Sequence, residues 1–219
     1  MKLKYRGIIF DLDGTLVDTL GDIAASMNWA LKQRGFPELP MEEYRDKVGW
    51  GIKQLAFLSM PWEDRNEELA ALIARDAAGY YDENPLNFSH PYPGIPQLIS
   101  ALKRKKLKMS VLTNKPDSTA QTVISNLFPM ETFEIVQGEI IGNPLKPDPA
   151  CVWELLVELN LTPSGIIFAG DSEIDMETAL ASGCYALGVS WGYRSREALE
   201  KAGAKHIIDK PEELLGFFE

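Results

Sequence analysis

Short apolar runs alternate with helical periodicities along this chain. Runs at 5–10, 109–113, 133–136, 166–169, 186–189 and 206–208 are dense in Ile, Val, Leu and Phe and predict buried strands. Between them, apolar positions spaced three and four apart predict helices over 94–104, 117–128, 149–160, 173–183 and 195–202. Strand–helix alternation of this kind predicts an α/β fold, a mostly parallel sheet wound with helices on both faces.

The first crossover breaks the rhythm. From Asp11 to the strand that starts at Met109 is far more chain than the ~30 residues of an ordinary strand–helix–strand unit. The excess is helical in pattern. Residues 18–34 carry Ile23, Met27, Ala30 and Leu31 on one face and stop at Gly35. Residues 62–81 carry Leu69, Leu72, Ile73, Ala77 and Tyr80 on one face, with a shorter helical piece at 53–59 between the two. The stretch from Asn84-Pro85 to Pro91-Tyr92-Pro93-Gly94 returns the chain to the sheet. The expected organisation is an α/β core of residues 1–16 and 89–219, with an inserted α-helical cap domain of residues 17–88.

Composition changes this picture little; charge changes it more. The chain has 219 residues, 45% hydrophobic and 25% charged, so it can bury a core without disulfide staples. Cys151 and Cys184 fall in or at the end of predicted helices and read as reduced core residues. A net charge of −10 argues against nucleic acid as a partner. No apolar run reaches the ~18 residues of a membrane span. The basic start Met1-Lys2-Leu3-Lys4-Tyr5 enters a strand with no signal-peptide apolar region, so the expected location is cytoplasmic. The expected assembly is a monomer or a homodimer.

Four polar signatures follow predicted strands or precede the helices after them: Asp11-Leu12-Asp13-Gly14-Thr15-Leu16-Val17-Asp18, Thr113-Asn114-Lys115, Lys146-Pro147-Asp148-Pro149 and Gly170-Asp171-Ser172-Glu173-Ile174-Asp175. In open parallel sheets ligands bind beyond the carboxyl ends of the strands, so all four fall at one edge. Asp11 and Asp13 are alternate residues of an extended chain and can face one site. Two like charges ~4 Å apart at an effective dielectric of ~20 repel by about 4 kcal/mol, so a cation is expected with them.

These residues suit phosphoryl transfer. A carboxylate such as Asp11 can attack phosphorus and form an aspartyl-phosphate. Asp13 can protonate the leaving oxygen and then activate water. Thr113, the Asn114 side chain and the loop amides of 12–15 can hold phosphate oxygens, and Lys146 supplies fixed positive charge. Asp11, Asp171 and the main-chain carbonyl of Asp13 offer hard oxygen ligands for Mg²⁺. Asp175 can orient Lys146 or hold a water on the metal.

The ordered set resembles the haloacid dehalogenase superfamily over essentially the whole chain. The resemblance implies a Rossmann-like doubly wound core, a mobile cap, Mg²⁺ and an aspartyl-phosphate, with Asp11 as nucleophile and Asp13 as acid and base. The family's dehalogenases lack the second aspartate of the first motif; Asp13 is present here, which favours phosphate over halide. Thr113-Asn114-Lys115-Pro116, 48–55 and 188–193 look closest to phosphoglycolate phosphatase-like members. In that cap loop Trp50, between Gly49 and Gly51, is a candidate to shield the site on closure, and Lys53 to meet a substrate carboxylate or second phosphate. The plainer readings are a helix anchor for Trp50 and a solvated helix start for Lys53. The expected activity is therefore Mg²⁺-dependent hydrolysis of a small phosphorylated metabolite, with phosphoglycolate as one candidate. The alternatives are a sugar-phosphate mutase, a phosphonate-cleaving enzyme using Lys32, Lys47 or Lys53, and a non-catalytic binding protein of the same fold.

Other polar residues take bland readings. Asp18 is a helix cap or hinge residue. His90 and His206 lack metal-ligand spacing. The run Lys103-Arg104-Lys105-Lys106 complements a helix dipole, as Glu173 does at a helix start. Trp191 and Tyr193 are read as packing residues.

Overall fold

The structure is a computed structural model that describes residues 5–84 and 86–218. The expected entry of residues 1–4 into the first strand, and Pro85 in the return stretch, lie outside the described residues.

Six strands form one parallel sheet: β1 (Gly7–Phe10), β4 (Lys108–Pro116), β5 (Ile135–Glu139), β6 (Ile166–Gly170), β7 (Tyr185–Val189) and β8 (His206–Ile208). Their spatial order is β5-β4-β1-β6-β7-β8. The chain builds outward from β1 to one side, then crosses and builds to the other. The switch point therefore lies at the carboxyl end of β1, where a ligand crevice is expected in such sheets.

Side chains alternate across the sheet and split the core into two layers. Ile8, Phe10, Val111, Ile167 and Ala169 pack with α4 (Ile95–Arg104), α5 (Asp117–Leu127) and the C-terminal 3₁₀ turns. Ile9, Leu112, Ile166 and Phe168 pack with α6 (Ala150–Leu159), α7 (Glu173–Ser182) and α8 (Arg196–Lys201). Cys151 and Cys184 are buried free thiols in or beside that second layer, as their helical context predicts.

The long crossover holds α1 (Leu20–Lys32), α2 (Ile52–Ser59) and α3 (Glu67–Glu83). α1 and α3 pack through a Trp29–Tyr80 ring stack at 4.9 Å and an Arg34–Asp76 ion pair at 2.6 Å. Asp22, buried on α1, accepts from the Phe88 and Ser89 amides and from the Ser89 hydroxyl, which ties α1 to the returning chain. Two strands absent from the expectation, β2 (Val17–Asp18) and β3 (His90–Pro91), pair antiparallel where the chain leaves and re-enters the sheet. At two residues each they are too short to carry a period.

Several bounds differ from expectation for physical reasons. The long helix expected over 62–81 is a 3₁₀ turn, Trp62–Asp64, followed by α3. Asn66 caps α3 by accepting from the Leu69 amide at 2.8 Å, with Glu67 and Glu68 in the first turn, so the helix starts there. β4 runs on to Pro116 beyond the expected 113, because Thr113, Asn114 and Lys115 are buried by the insertion and its end pairs Pro116 with Glu139. β5 begins two residues later than expected and ends at Glu139. No helix among the described residues is long and apolar enough to cross a membrane.

Candidate active site

Phe10 at the end of β1 is in register with Val111 of β4 and with Ala169 of β6. Strands lie ~4.8 Å apart. Asp11 is one residue beyond Phe10, and Thr113 and Asp171 are two beyond Val111 and Ala169, so all three gather at this edge. The Asp11 amide still donates to the Ala169 carbonyl at 2.9 Å, so its backbone is fixed by the sheet. Beyond it the chain turns tightly. The Leu16 and Val17 amides both return to the Leu12 carbonyl, at 3.0 and 3.1 Å. Gly14 has φ +87°, and a Cβ there would lie 2.4 Å from Asp171 Oδ2. Only glycine lets the first loop approach the Asp171 carboxylate so closely.

Asp11, Asp171 and Asp175 each present a carboxylate oxygen, all within 4.8 Å of one another. Lys146 Nζ donates to Asp11 Oδ1 and to Asp175 Oδ1, each at 2.7 Å. The other oxygen of Asp175 accepts from the Ser172 amide at 3.0 Å and its hydroxyl at 2.6 Å, closing a capping box at the start of α7. Asp175 therefore orients Lys146 from a fully buried position, one of its two expected placements. Asp171 accepts from the Thr15 hydroxyl at 3.0 Å and from the Tyr193 amide at 2.6 Å.

The charge balance of this cluster is unequal. Three buried carboxylates face one buried ammonium, leaving two negative charges uncompensated. Burial drives Asp11 well above the ordinary carboxylate range; Lys146 opposes this, and Asp175 and Asp171 add to it. Burial first and Asp175 second push Asp171 from 3.8 up to about 7. Burial alone would lower the Lys146 ammonium, but Asp11 and Asp175 outweigh it and the net shift is upward. Oxygen donors with this deficit fit a hard divalent cation.

Asp13 stands beside the cluster, not in it. Its carboxylate accepts from the Thr19 hydroxyl at 2.6 Å and from Lys115 Nζ at 3.1 Å. Lys115 belongs to the second motif, whose pattern assigns it no role. It is buried, with Nζ 4.3 Å from the centre of the Tyr81 ring. A lysine inside a buried strand end is costly unless paired, and that was the available signal. Thr113 is buried at the same edge, its hydroxyl oxygen accepting from the Lys115 amide.

Asn114 does not present a free amide to the cavity. Its Nδ2 donates to the Lys146 and Gly49 carbonyls at 2.9 Å, and its Oδ1 accepts from the Lys146 amide at 2.9 Å. It clamps the backbone that carries Lys146, which replaces the expected phosphate contact of its side chain. Trp50 and Lys53 also lie away from the chemistry. Gly49 and Gly51, with φ +121° and +86°, turn the loop so that they face the cavity while Trp50, 47% exposed, lies outside it. Lys53 lies on the outer face of α2, paired with Glu67 at 2.6 Å.

Three residues of the later loops, read as packing or helix-start groups, support the site. The Tyr193 amide holds Asp171, while its hydroxyl accepts from the Thr19 amide at 3.0 Å. Trp191 donates to the Thr15 carbonyl at 3.0 Å, steadying the first loop. Glu173 pairs with Arg194 at 3.1 Å. Asp18 accepts from the Leu20 amide two residues on, and its backbone pairs in β2. A cavity of about 70 Å³ lies between this polar edge and the helices of the insertion.

Residues 8–189 match the family described as Haloacid dehalogenase-like hydrolase. A phosphoglycolate phosphatase of Mannheimia succiniciproducens is 33% identical over 88% of this chain and 89% of its own length. One from Haemophilus influenzae is 30% identical over 98% of this chain and 99% of its own. The crystal structure of a predicted phosphoglycolate phosphatase from Haemophilus somnus superposes with a TM-score of 0.90 at 28% identity, covering 100% of both chains. Motif order, sheet order and these likenesses agree: the chain belongs to the haloacid dehalogenase-like hydrolase family.

Proposed function

We propose that this site hydrolyses phosphate monoesters of small metabolites with Mg²⁺, through a phosphorylated Asp11. The observation that carries the reading is the buried Asp11–Lys146–Asp175 chain beside Asp171, two positive charges short of balance. Asp11 and Asp171, with the main-chain carbonyl of Asp13, would hold Mg²⁺. Bound there, the ion supplies the positive charge that keeps Asp11 ionised and offsets charge on the transferring phosphoryl group.

The residues divide the work. A carboxylate oxygen of Asp11 forms a bond to phosphorus as the ester P–O bond breaks. Asp13 gives its proton to the departing oxygen, then takes one from the water that attacks the phosphoryl group. The Asp11–phosphorus bond breaks and inorganic phosphate leaves. Lys146, fixed by Asp175 and by Asn114 on its backbone, faces the charge that develops on the phosphoryl oxygens. Thr113 offers its hydroxyl hydrogen to the same oxygens. The insertion, residues 17–88, closes the cavity against bulk water. The phosphonate-cleaving reading gains no observation: Lys32, Lys47 and Lys53 pair with Glu38, Glu43 and Glu67, and none lines the cavity.

Acetyl phosphate is a small substrate that tests the chemistry alone, and 2-phosphoglycolate, named for the relatives, is the reference ester. Asp11→Asn keeps the shape and removes the nucleophile. It should fold as the parent does by circular dichroism and lose at least 1,000-fold in kcat, as roughly expected for a single catalytic group. Turnover within a few-fold of the parent would refute the covalent route.

A further inference from the structure

The cavity has two unlike walls. One is the charged edge of the sheet. The other is built by the insertion from Ile23 and Met27 of α1, Ile52 and Leu55 of α2, and Ala78 and Tyr81 of α3. Resting on the phosphatase reading above, we propose that the leaving group is short, uncharged and apolar at its far end. The site would then select against esters that carry a carboxylate there, phosphoglycolate included.

The cations of the cavity are already committed. Three cations line the cavity: Lys115, Lys146 and Arg194. Lys146 is held by Asp11 and Asp175, and Lys115 by Asp13. Arg194 pairs with Glu173 and donates to the Arg45, Asp46 and Val48 carbonyls. The hydroxyls on the apolar wall are spent too. Ser26 donates to the Ile23 carbonyl and Thr119 to Asp82. Ser89 gives its proton to Asp22, so the Tyr81 hydroxyl spends its own on Ser89.

The amino end of α2 is a further place for an anion, and it is taken. The Glu139 carboxylate sits against the Ile52 amide. Its Oε2 is buried without a hydrogen-bond partner and lies 3.3 Å from where a Cβ on Gly51 would be. A second carboxylate there would meet a first. A leaving-group carboxylate would thus lose its hydration and meet only cations that are already paired. A short alkyl chain loses no such hydration and gains from burial against Ile23, Met27, Ile52 and Leu55.

The test separates binding from turnover. Butylphosphonate and 3-phosphonopropionate are inert and nearly isosteric with propyl phosphate and 2-phosphoglycolate. Calorimetry with the full-length protein in Mg²⁺ gives a Kd for each. Butylphosphonate should bind at least ten-fold more tightly. Met27→Lys places a cation in the apolar wall and should narrow or reverse that ratio; Ile52→Lys, at a half-buried position, does the same if the first variant fails to fold. Equal or tighter binding of 3-phosphonopropionate by the parent overturns the inference, as does no binding of either ligand at millimolar concentration. Phosphate release from propyl phosphate is read separately. If selectivity holds and no ester or acetyl phosphate turns over, the hydrolytic reading fails and the leaving-group inference stands.

Discussion

Asn114 shows how a residue can serve a site without entering it. Its amide makes three hydrogen bonds, two to the backbone of Lys146 and one to Gly49. Asn114→Ala leaves a buried amide and carbonyl of Lys146 unpaired, and each such group costs ~1–3 kcal/mol. Urea unfolding should show a loss of about 2 kcal/mol or more, and kcat should fall while the charges of the site stay unchanged. A stability and kcat equal to the parent would contradict the clamp. At this scale the sequence was legible where chemistry demands a residue type. Asp11, Lys146, Asp171 and Asp175 all converge, because only a carboxylate or ammonium suits those positions. Asn114, Trp50 and Lys53 lie elsewhere than expected for one reason. Residue type tells what a side chain can do, and only the register and the loop turn tell where it points. Lys115 is marked only by being a lysine in a buried strand end, its partner Asp13 lying 102 residues away, and Tyr193 acts through Asp171 and the distant Thr19, which no local pattern joins.

At the scale of elements, the loop between the first 3₁₀ turn of the insertion, Met41–Tyr44, and α2 is gripped by the core from three sides. Arg194 holds the carbonyls of 45, 46 and 48, Asn114 holds that of 49, and Glu139 faces the start of α2. Arg194→Ala should free this loop. Amide hydrogen exchange should rise by an order of magnitude or more across 45–52 with little change in the sheet. Arg194→Lys should not restore protection, since one ammonium cannot span three carbonyls and Glu173 as the planar fork does. Unchanged exchange in Arg194→Ala would show that the loop is held by packing alone. The strands of the sheet were legible because they are buried on both faces and read as continuous apolar runs. The start of α3 was misplaced because the 62–64 turn carries on the helical spacing, and only the Asn66 cap breaks it. The β2–β3 pair was invisible, since two-residue strands are defined by their partner and not by their own sequence.

Over the whole molecule, the excess of acidic charge becomes specific at one point, the buried cluster of Asp11, Asp171 and Asp175. Asp171 is raised in the folded protein from 3.8 to about 7. The metal-free fold therefore binds a proton that the unfolded chain has lost between those values. Its stability should fall as pH rises from about 4 to about 7, with Asp11, raised in the same direction, adding to the slope. A bound divalent cation favours the ionised form, so Mg²⁺ should raise Tm most at the upper end of this range. Melting curves in chelator and in millimolar Mg²⁺ check both signs, with Asp171→Asn as the control that lessens the pH slope and weakens the Mg²⁺ response together. A Tm unmoved by Mg²⁺ at neutral pH would remove the cation from the account.

The most direct measurement is on Asp11 itself. Acetyl phosphate and Mg²⁺ are mixed with the protein, the reaction is quenched in acid within milliseconds, and the peptide holding residue 11 is weighed by mass spectrometry. One phosphoryl group should be added to Asp11, labile to hydroxylamine and absent in Asp11→Asn. Steady release of phosphate with an unmodified Asp11 at every quench time, or an adduct on another residue, would contradict the covalent route.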